Sequence, residues 1–389
     1  MQTSGNPVQN PAFSALPEGR DIAAALLAWY DVNARSLPWR SPPGTGAGSS
    51  ANAPLPDPYR VWLSEVMLQQ TTVAAVGPYF ARFTERWPTV ADLAAADDAD
   101  VMAAWAGLGY YARARNLLAC AREVARLGAF PDTEEELRNL PGLGAYTAAA
   151  VAAIAFGRRA VVVDANVERV VARLFAIDTP LPGARPALRA ATDTITPDQR
   201  AGDFAQAMMD LGASLCSVKA PRCLLCPLRP ACRAAAQGNP ERLPVKAVKK
   251  AKPVRQGRAF WVERDGAVLL VTRAGKGMLG GMRALPDDGW IARADGHGLP
   301  PAPGNWRAGG VVRHSFTHFD LELQLMLGDW PETITLPPEL ETAGEFWPLD
   351  RIEQAGLPTV FAKAARLALA GQDGEDKSRP TGETLADGC

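Results

Sequence analysis

The sequence contains no lysine before Lys219 and no uninterrupted apolar run of 18 residues. Because Schiff-base catalysis requires an amine, that chemistry is excluded from the part of the chain before Lys219. The missing apolar run excludes a membrane-spanning helix. The N-terminus also lacks the basic-then-apolar order of a signal peptide. These absences predict a cytoplasmic protein with no membrane partner.

An excess of positive charge is also missing. The chain has 41 Lys and Arg against 42 Asp and Glu, a formal net charge of −1, so no global basic field indicates nucleic acid. Any nucleic-acid interaction must therefore depend on local features. The length of 389 residues favours two domains, each with its own core, and the alanine and arginine content is typical of a GC-rich bacterial genome.

The cysteines are unevenly distributed. Cys120 and Cys389 are isolated, whereas four others follow a Cys-x6-Cys-x2-Cys-x5-Cys spacing: Cys216, Cys223, Cys226 and Cys232. In a reducing compartment such crowding favours a metal site over disulfides. Four thiolates without a nearby histidine suit zinc or a [4Fe–4S] cluster, and spacing alone does not separate the two.

A Gly-rich turn marks the central stretch, residues 140–173. Pro141-Gly142-Leu143-Gly144 separates a short helix predicted at 133–139 from an Ala-rich helix predicted at 145–156. Free amides at the second helix's N-terminus form a site for an anion such as DNA phosphate, although a plain helix corner has the same pattern. Asp164 then caps a helix predicted at 166–176, whose amides and dipole are expected to keep the carboxylate ionised.

Glu65 lies in a predicted helical segment, residues 59–71, with large apolar neighbours at Trp62, Val66 and Met67. A carboxyl group among apolar side chains has a raised pKa, as a general acid near neutrality requires. The commoner alternative is a solvated helix glutamate.

Together these motifs resemble the helix-hairpin-helix DNA glycosylases. LPGLG followed by VD is the shared signature, and WLSEVMLQQT resembles the MutY-type adenine DNA glycosylase family in particular. The cysteine spacing is similar to the iron–sulfur loop of those enzymes. The resemblance implies a multidomain chain with an all-α glycosylase domain and a [4Fe–4S] loop at 19–236, a linker at 237–257, and an α+β Nudix-like domain at 258–370. Disorder is expected at 1–18 and 371–389, and a flexible insertion at 41–58.

The same resemblance assigns residue roles. It implies that Glu65 and Asp164 are catalytic and that the four clustered cysteines bind a [4Fe–4S] cluster. It also implies that Gln70 and Tyr110 enter the base stack. Substrate or DNA contacts are implied for a larger set, namely Trp39, Arg40, Gln69, Gln70, Tyr110, Gly142, Gly144, Tyr146, Asn166 and Gln206.

From residue 258 the pattern changes to strands, predicted at 259–262, 268–272, 306–312 and 321–327, with a closing helix at 358–370. This region resembles a Nudix domain. However, the segment after Gly280-Gly281, where a catalytic Nudix helix would lie, contains no glutamate, so hydrolase chemistry lacks its metal ligands. The resemblance instead implies that Phe316, Thr317 and His318 recognise 8-oxoguanine, with Thr317 at a position where the family has serine.

The implied function is base-excision repair. The chain is expected to be a monomeric, nucleoid-associated enzyme that flips adenine out of double-stranded DNA and hydrolyses its glycosidic bond, where adenine is mispaired with 8-oxoguanine or guanine. Two alternatives remain open. One is a bifunctional glycosylase/lyase like endonuclease III, whose lysine would occupy the position of Tyr146. The other is a non-catalytic iron–sulfur DNA-binding protein.

Overall fold

The computed structural model describes residues 19–45, 56–247, 251–273, 278–329 and 344–376. The chain divides into two compact units, 1–248 and 249–389, and the division falls inside the predicted linker. The disorder predicted for 1–18 and for 377–389, and the flexibility predicted for 46–55 of the insertion, concern segments outside the described residues.

The described part of the first unit is helical. Its helices are α1 (Gly19–Asn33), α2 (Pro58–Met67), α3 (Val73–Arg86), α4 (Val90–Ala94), α5 (Asp98–Trp105), α6 (Tyr111–Leu127), α7 (Glu134–Leu137), α8 (Ala145–Phe156), α9 (Ala165–Phe175), α10 (Arg185–Ile195), α11 (Ala201–Ser214) and α12 (Arg233–Ala236). Short 3₁₀ turns occupy Cys223–Leu225 and Arg229–Ala231 of the cysteine loop. None of the helices within the described ranges has the length and apolar content needed to cross a bilayer.

The alanine-rich α8 lies at the centre of this unit and packs against α2 and α11. Its residues from Thr147 to Ala155 are buried, because small side chains let neighbouring helices approach closely. At the α11 contact a Cβ on Gly202 would lie 2.5 Å from the carbonyl oxygen of Ala153. This packing brings α2, which carries Glu65, alongside α8.

Polar caps set the helix boundaries around the site. The Asp57 side chain accepts from the Tyr59 amide, so α2 begins at Pro58 and the predicted insertion ends one residue earlier than expected. The Thr133 hydroxyl caps α7. Helices α4, α10 and α12 were not predicted. A capping box between Thr89 and Asp92 fixes the start of α4.

The second unit contains a mixed sheet of β1 (Val254–Arg264), β2 (Ala267–Thr272), β3 (Arg283–Ala284), β4 (Trp306–Ser315), β5 (Asp320–Asp329) and β6 (Gly344–Pro348). The strand order is β3-β2-β1-β5-β4, with β6 paired to β2. β1 and β5 run parallel, and the other pairs are antiparallel. Alternate leucines of β5 enter the core, as the two-residue period of a strand requires.

One helix, α13 (Thr359–Asp376), packs against β4, β1 and β5. It continues past Ala370 to Asp376, six residues beyond the predicted end of the closing helix. Where a catalytic Nudix helix would follow Gly280-Gly281, the described residues 278–304 form β3, turns and irregular backbone.

Candidate active site

Helices α2, α6, α8, α9 and α11 surround a cleft of about 1040 Å³ in the first unit. It contains most of the residues to which a site role was assigned from the sequence. Those lining it are Trp39, Arg40, Glu65, Gln69, Gln70, Tyr110, Tyr146, Asp164, Asn166 and Gln206. The structure therefore brings together side chains that lie far apart in the sequence.

Glu65 projects from α2 into this cleft and is only 6% exposed. The Tyr146 hydroxyl on α8 donates a hydrogen bond of 2.6 Å to its carboxylate. Burial raises the pKa of Glu65, and the charge of Asp164 adds to that effect, whereas the Tyr146 hydrogen bond and the Arg40 charge lower it. The net rise favours a protonated carboxyl group, which is the form that a general acid needs.

Tyr146 itself remains a hydrogen-bond donor. Burial raises its pKa well above the usual value, and the carboxylates of Glu65 and Asp164 raise it further. Because a tyrosinate would face two acidic groups, the phenol keeps its proton and points it at Glu65.

Asp164 is the N-cap of α9. Its carboxylate accepts from the Val167 amide at 2.7 Å and from the Asn166 side-chain amide at 2.9 Å. Burial nevertheless raises the pKa of Asp164, although these hydrogen bonds lower it. Burial and the hydrogen bonds of the helix N-terminus therefore act in opposite directions on this carboxyl group, and the expectation that Asp164 is ionised stays a prediction.

Two buried arginines connect this cap to the cysteine loop. Arg169 donates to the Asn166 side-chain oxygen at 2.8 Å and to the Cys216 carbonyl at 2.8 Å. One turn later, Arg173 donates to the Cys216 sulfur at 3.3 Å and to the Ser217 carbonyl at 2.7 Å. Sequence reasoning missed both residues. The available signal was a pair of arginines four positions apart on an otherwise apolar helix face.

A second polar network, also missed, holds Arg40. Asp210 on α11 is 1% exposed and accepts from Arg40 at 2.7 Å and from Arg35 at 2.6 Å. Arg40 is thereby fixed near Glu65, where its charge lowers the pKa of that carboxyl group. Gln206 lies one turn before Asp210 and is buried in the cleft wall.

The rim of the cleft carries two exposed residues with left-handed backbone conformations. Gln70 has a φ of 59° and Tyr110 a φ of 50°, and the Tyr110 side chain is 53% exposed. Gln69, by contrast, turns inward and donates to the Thr147 hydroxyl at 3.1 Å. Trp39 forms part of the floor, packed edge-on against Phe80 at 5.3 Å.

The glycine turn leads into α8. Gly142 has a φ of 77°, and a Cβ there would lie 2.7 Å from that of Asn116, so a larger residue is disfavoured on both counts. Gly144 is the N-cap of α8 and provides no side-chain hydrogen bond. The first amides of α8 therefore have no side-chain acceptor from that cap, and the helix dipole adds partial positive charge there.

Comparison with known proteins decides the family. Residues 63–191 match the model described as "HhH-GPD superfamily base excision DNA repair protein", and residues 258–367 match that of a NUDIX domain. Adenine DNA glycosylase from Homo sapiens is 33% identical over 433 residues, which cover 93% of this chain and 76% of the human protein. The chain belongs to the adenine DNA glycosylase family.

Other relatives include the adenine DNA glycosylase of Mycobacterium tuberculosis strain H37Rv, which is 43% identical over 208 residues, covering 52% of this chain and 64% of that protein. Among solved structures, a thermostable thymine-DNA glycosylase aligns with a TM-score of 0.48 and 26% identity, covering 57% of this chain and 97% of that one. The predicted family, fold class and DNA glycosylase activity are confirmed, and the enzyme removes adenine in base-excision repair.

The four clustered cysteines of this glycosylase line one small cavity, together with Arg173 and Arg229. Burial raises the pKa of the Cys226 thiol to about 11 and also raises that of Cys232, and neighbouring thiols contribute to both rises. Within the described ranges, no group of three or more His, Cys, Asp or Glu side chains converges closely enough to hold a metal ion.

The remaining predicted site residues lie in the second unit, at the turn between β4 and β5. Phe316 stacks on the buried ring of Phe319 with ring centroids 4.8 Å apart, so part of the Phe316 ring packs against the core. Thr317 and His318 at the tip are exposed. The Lys252 ammonium donates to the Phe316 carbonyl at 2.7 Å, which fixes the turn from outside.

Proposed function

We propose that this enzyme excises adenine that is mispaired with 8-oxoguanine or, less efficiently, with guanine in double-stranded DNA, and that it acts as a monomer. The observation that carries the proposal is Glu65: a buried carboxyl group with a raised pKa, facing a cleft large enough for a base. Adenine must leave the base stack to reach it, because its glycosidic bond is inaccessible inside a duplex.

Glu65 donates its proton to N7 of the flipped adenine, which makes the base a better leaving group. Tyr146 stabilises the glutamate charge that this step creates, because its hydroxyl already points at the carboxylate. Asp164 stabilises the oxocarbenium-like sugar, either through its charge or by a short-lived covalent bond. Water completes the hydrolysis, with Glu65 as base, as in other glycosyl transfers that use two carboxyl groups.

We propose that the enzyme is monofunctional. Strand-nicking lyase chemistry requires a lysine amine. Tyr146 occupies the position that the family resemblance gives to that lysine, and its hydroxyl is hydrogen bonded to Glu65. Since Lys219 is the first lysine of the chain, no amine is available on the helices that form the cleft.

Cys216, Cys223, Cys226 and Cys232 fit a [4Fe–4S] cluster. They line one shared cavity, and four thiolates without a nearby histidine suit such a cluster. A bound cluster would supply a structural cross-link within the loop. Arg173 is poised to stabilise the resulting thiolate charge, because its guanidinium already donates to the Cys216 sulfur.

We further propose that Thr317 and His318 read the base opposite adenine, since both are exposed at the tip of a fixed turn. Phe316 supports the turn through its stack on Phe319. The Thr317 hydroxyl replaces that of serine in the family pattern. Gly142 and the free amides that follow Gly144 bind phosphate, which positions the duplex without reading its sequence.

The test is single-turnover excision from an adenine:8-oxoguanine duplex. Glu65→Gln should abolish base loss and retain duplex binding, because phosphate contacts dominate affinity. Glu123→Gln is the matched control, since Glu123 is a surface residue paired with Arg126. Excision retained by Glu65→Gln would refute the mechanism. Strand nicking, together with an enzyme–DNA adduct that borohydride traps covalently, would support the lyase alternative. Binding without excision by the wild type would support the non-catalytic alternative.

A further inference from the structure

We infer that Arg113 is the positioning residue that holds both DNA-inserting residues, Gln70 and Tyr110, in one fixed arrangement. The inference rests on the proposed function, in which these two side chains enter the base stack while adenine is extruded. Arg113 lies on α6, one turn after Tyr110, and its side chain lines the same cleft.

Its guanidinium reaches the α2 side of the rim. One terminal nitrogen donates to the Val66 and Met67 carbonyls, both at 3.2 Å, and also to the Gln69 carbonyl. Val66 and Met67 end α2, where carbonyls lack the amide of a following helical turn, and the Val66 carbonyl also accepts from the Gln69 amide at 3.4 Å. Because Gln69 immediately precedes Gln70, these bonds fix the backbone from which Gln70 projects.

The same guanidinium reaches the α6 side. Its second terminal nitrogen donates to the Leu108 carbonyl at 3.3 Å and to the Thr71 hydroxyl at 3.3 Å. The guanidinium carbon lies 5.3 Å from the centre of the Tyr110 ring, within the range of a cation–π contact. Arg113 therefore bonds to the residues on both sides of Gln70 and contacts Tyr110 directly.

Both inserted residues need such support. Gln70 and Tyr110 have left-handed backbone conformations, which cost non-glycine residues free energy and persist only when surrounding contacts enforce them. A planar guanidinium directs several donors at fixed angles, whereas a lysine ammonium is a single flexible point. Lysine at this position keeps the charge but cannot bond both sides of the rim at once.

The experiment measures base extrusion directly. Binding of the chemically inactive Glu65→Gln protein to a duplex with 2-aminopurine opposite 8-oxoguanine should raise fluorescence as that base unstacks. Adding Arg113→Lys should remove most of the rise. In the active enzyme, Arg113→Lys should slow single-turnover excision about 10- to 100-fold, the range expected when reacting groups are misplaced by an ångström or less. Duplex affinity should change far less, because phosphate contacts dominate it.

Arg126→Lys is the control on the same helix, since Arg126 is a surface residue paired with Glu123. If Arg113→Lys does not fold, Thr71→Val decides. It is isosteric and removes the bond from Arg113 together with the bond that the Thr71 hydroxyl donates to the Gln69 carbonyl, and it should reduce both signals in the same direction. A fluorescence rise and an excision rate equal to those of the protein with Arg113 and Thr71 intact, in whichever of these two variants is measured, would overturn the inference. Gln70→Ala and Tyr110→Ala distinguish a failure of this inference from a failure of the proposed function. An unchanged fluorescence rise in both variants would refute the proposed insertion itself.

Discussion

Gly212→Ala should damage catalysis through one methyl group that never touches the substrate. Gly212 lies on α11 where this helix crosses the start of α9. A Cβ there would lie 2.6 Å from that of Asn166 and 3.2 Å from the Asn166 Cα and carbonyl oxygen. Backbone atoms cannot swing aside, so Asn166 must shift, and with it the amide that donates to Asp164.

The magnitude follows from the hydrogen bond at risk. A bond to a charged group contributes about 1.5–3 kcal/mol. If Asp164 loses it as the sugar becomes cationic, excision slows about 10- to 150-fold, since 1.36 kcal/mol corresponds to a factor of ten. Overpacking also costs about 1–3 kcal/mol of folding stability, so rates must be measured well below the unfolding temperature.

Single-turnover excision on an adenine:8-oxoguanine duplex gives the rate, and thermal unfolding gives the stability. Gly202→Ala is the matched control, because Gly202 lies on the same helix as Gly212, away from Asn166. Its added Cβ would lie 2.5 Å from the carbonyl oxygen of Ala153 on α8. The Gly202→Ala enzyme should unfold at a lower temperature than the wild type and excise adenine at the wild-type rate. Asn166→Ala should slow excision by itself, and the double variant should be no slower than the worse single one. A Gly212→Ala enzyme that is destabilised but fully active would refute the reasoning.

Three further predictions concern separate parts of the molecule. Glu65→Gln should raise the unfolding temperature of the first unit at neutral pH. Burial raises the folded-state pKa of Glu65, so the folded wild type is most stable while this group is protonated and loses that stability as pH rises through the folded pKa. An increase in unfolding temperature that did not grow with pH would contradict this. Anaerobically purified protein should contain about four irons per chain, and stoichiometric zinc without inorganic sulfide would defeat the cluster assignment. His318→Ala should reduce the preference for 8-oxoguanine over guanine by ~1–3 kcal/mol, measured as an affinity ratio at fixed salt, and an unchanged ratio would move recognition elsewhere.

Local patterns predicted much of the helical unit. α8 begins and ends where its alanine content and flanking glycines indicated, and α9 begins beside its predicted N-cap. These features depend on residues a few positions apart. The short helix α4 was missed because five residues carry too little periodicity to be distinguished from a loop.

The polar networks of the site could not be predicted in this way, because each depends on distant partners. Arg40 and Asp210 are 170 positions apart, and Arg169 and Cys216 are 47 apart. No spacing rule connects such pairs. The motifs and the family resemblance predicted catalytic roles for Glu65 and Asp164, but the structure was needed to find the residues that hold these side chains.

The proposed mechanism needs the two carboxyl groups of the cleft in opposite protonation states, and their surroundings differ in the direction that it requires. Burial raises the pKa of both Glu65 and Asp164, and each anion would further disfavour the other, so they titrate as a coupled pair. Asp164 accepts hydrogen bonds from the Val167 and Asn166 amides, and the N-terminus of α9 favours negative charge. Glu65 accepts one bond from a neutral phenol, and the Arg40 charge near it is already paired with Asp210. These differences favour protonation of Glu65 before Asp164, so that in the proposed mechanism Asp164 is ionised and faces the developing sugar cation while Glu65 donates to the departing base.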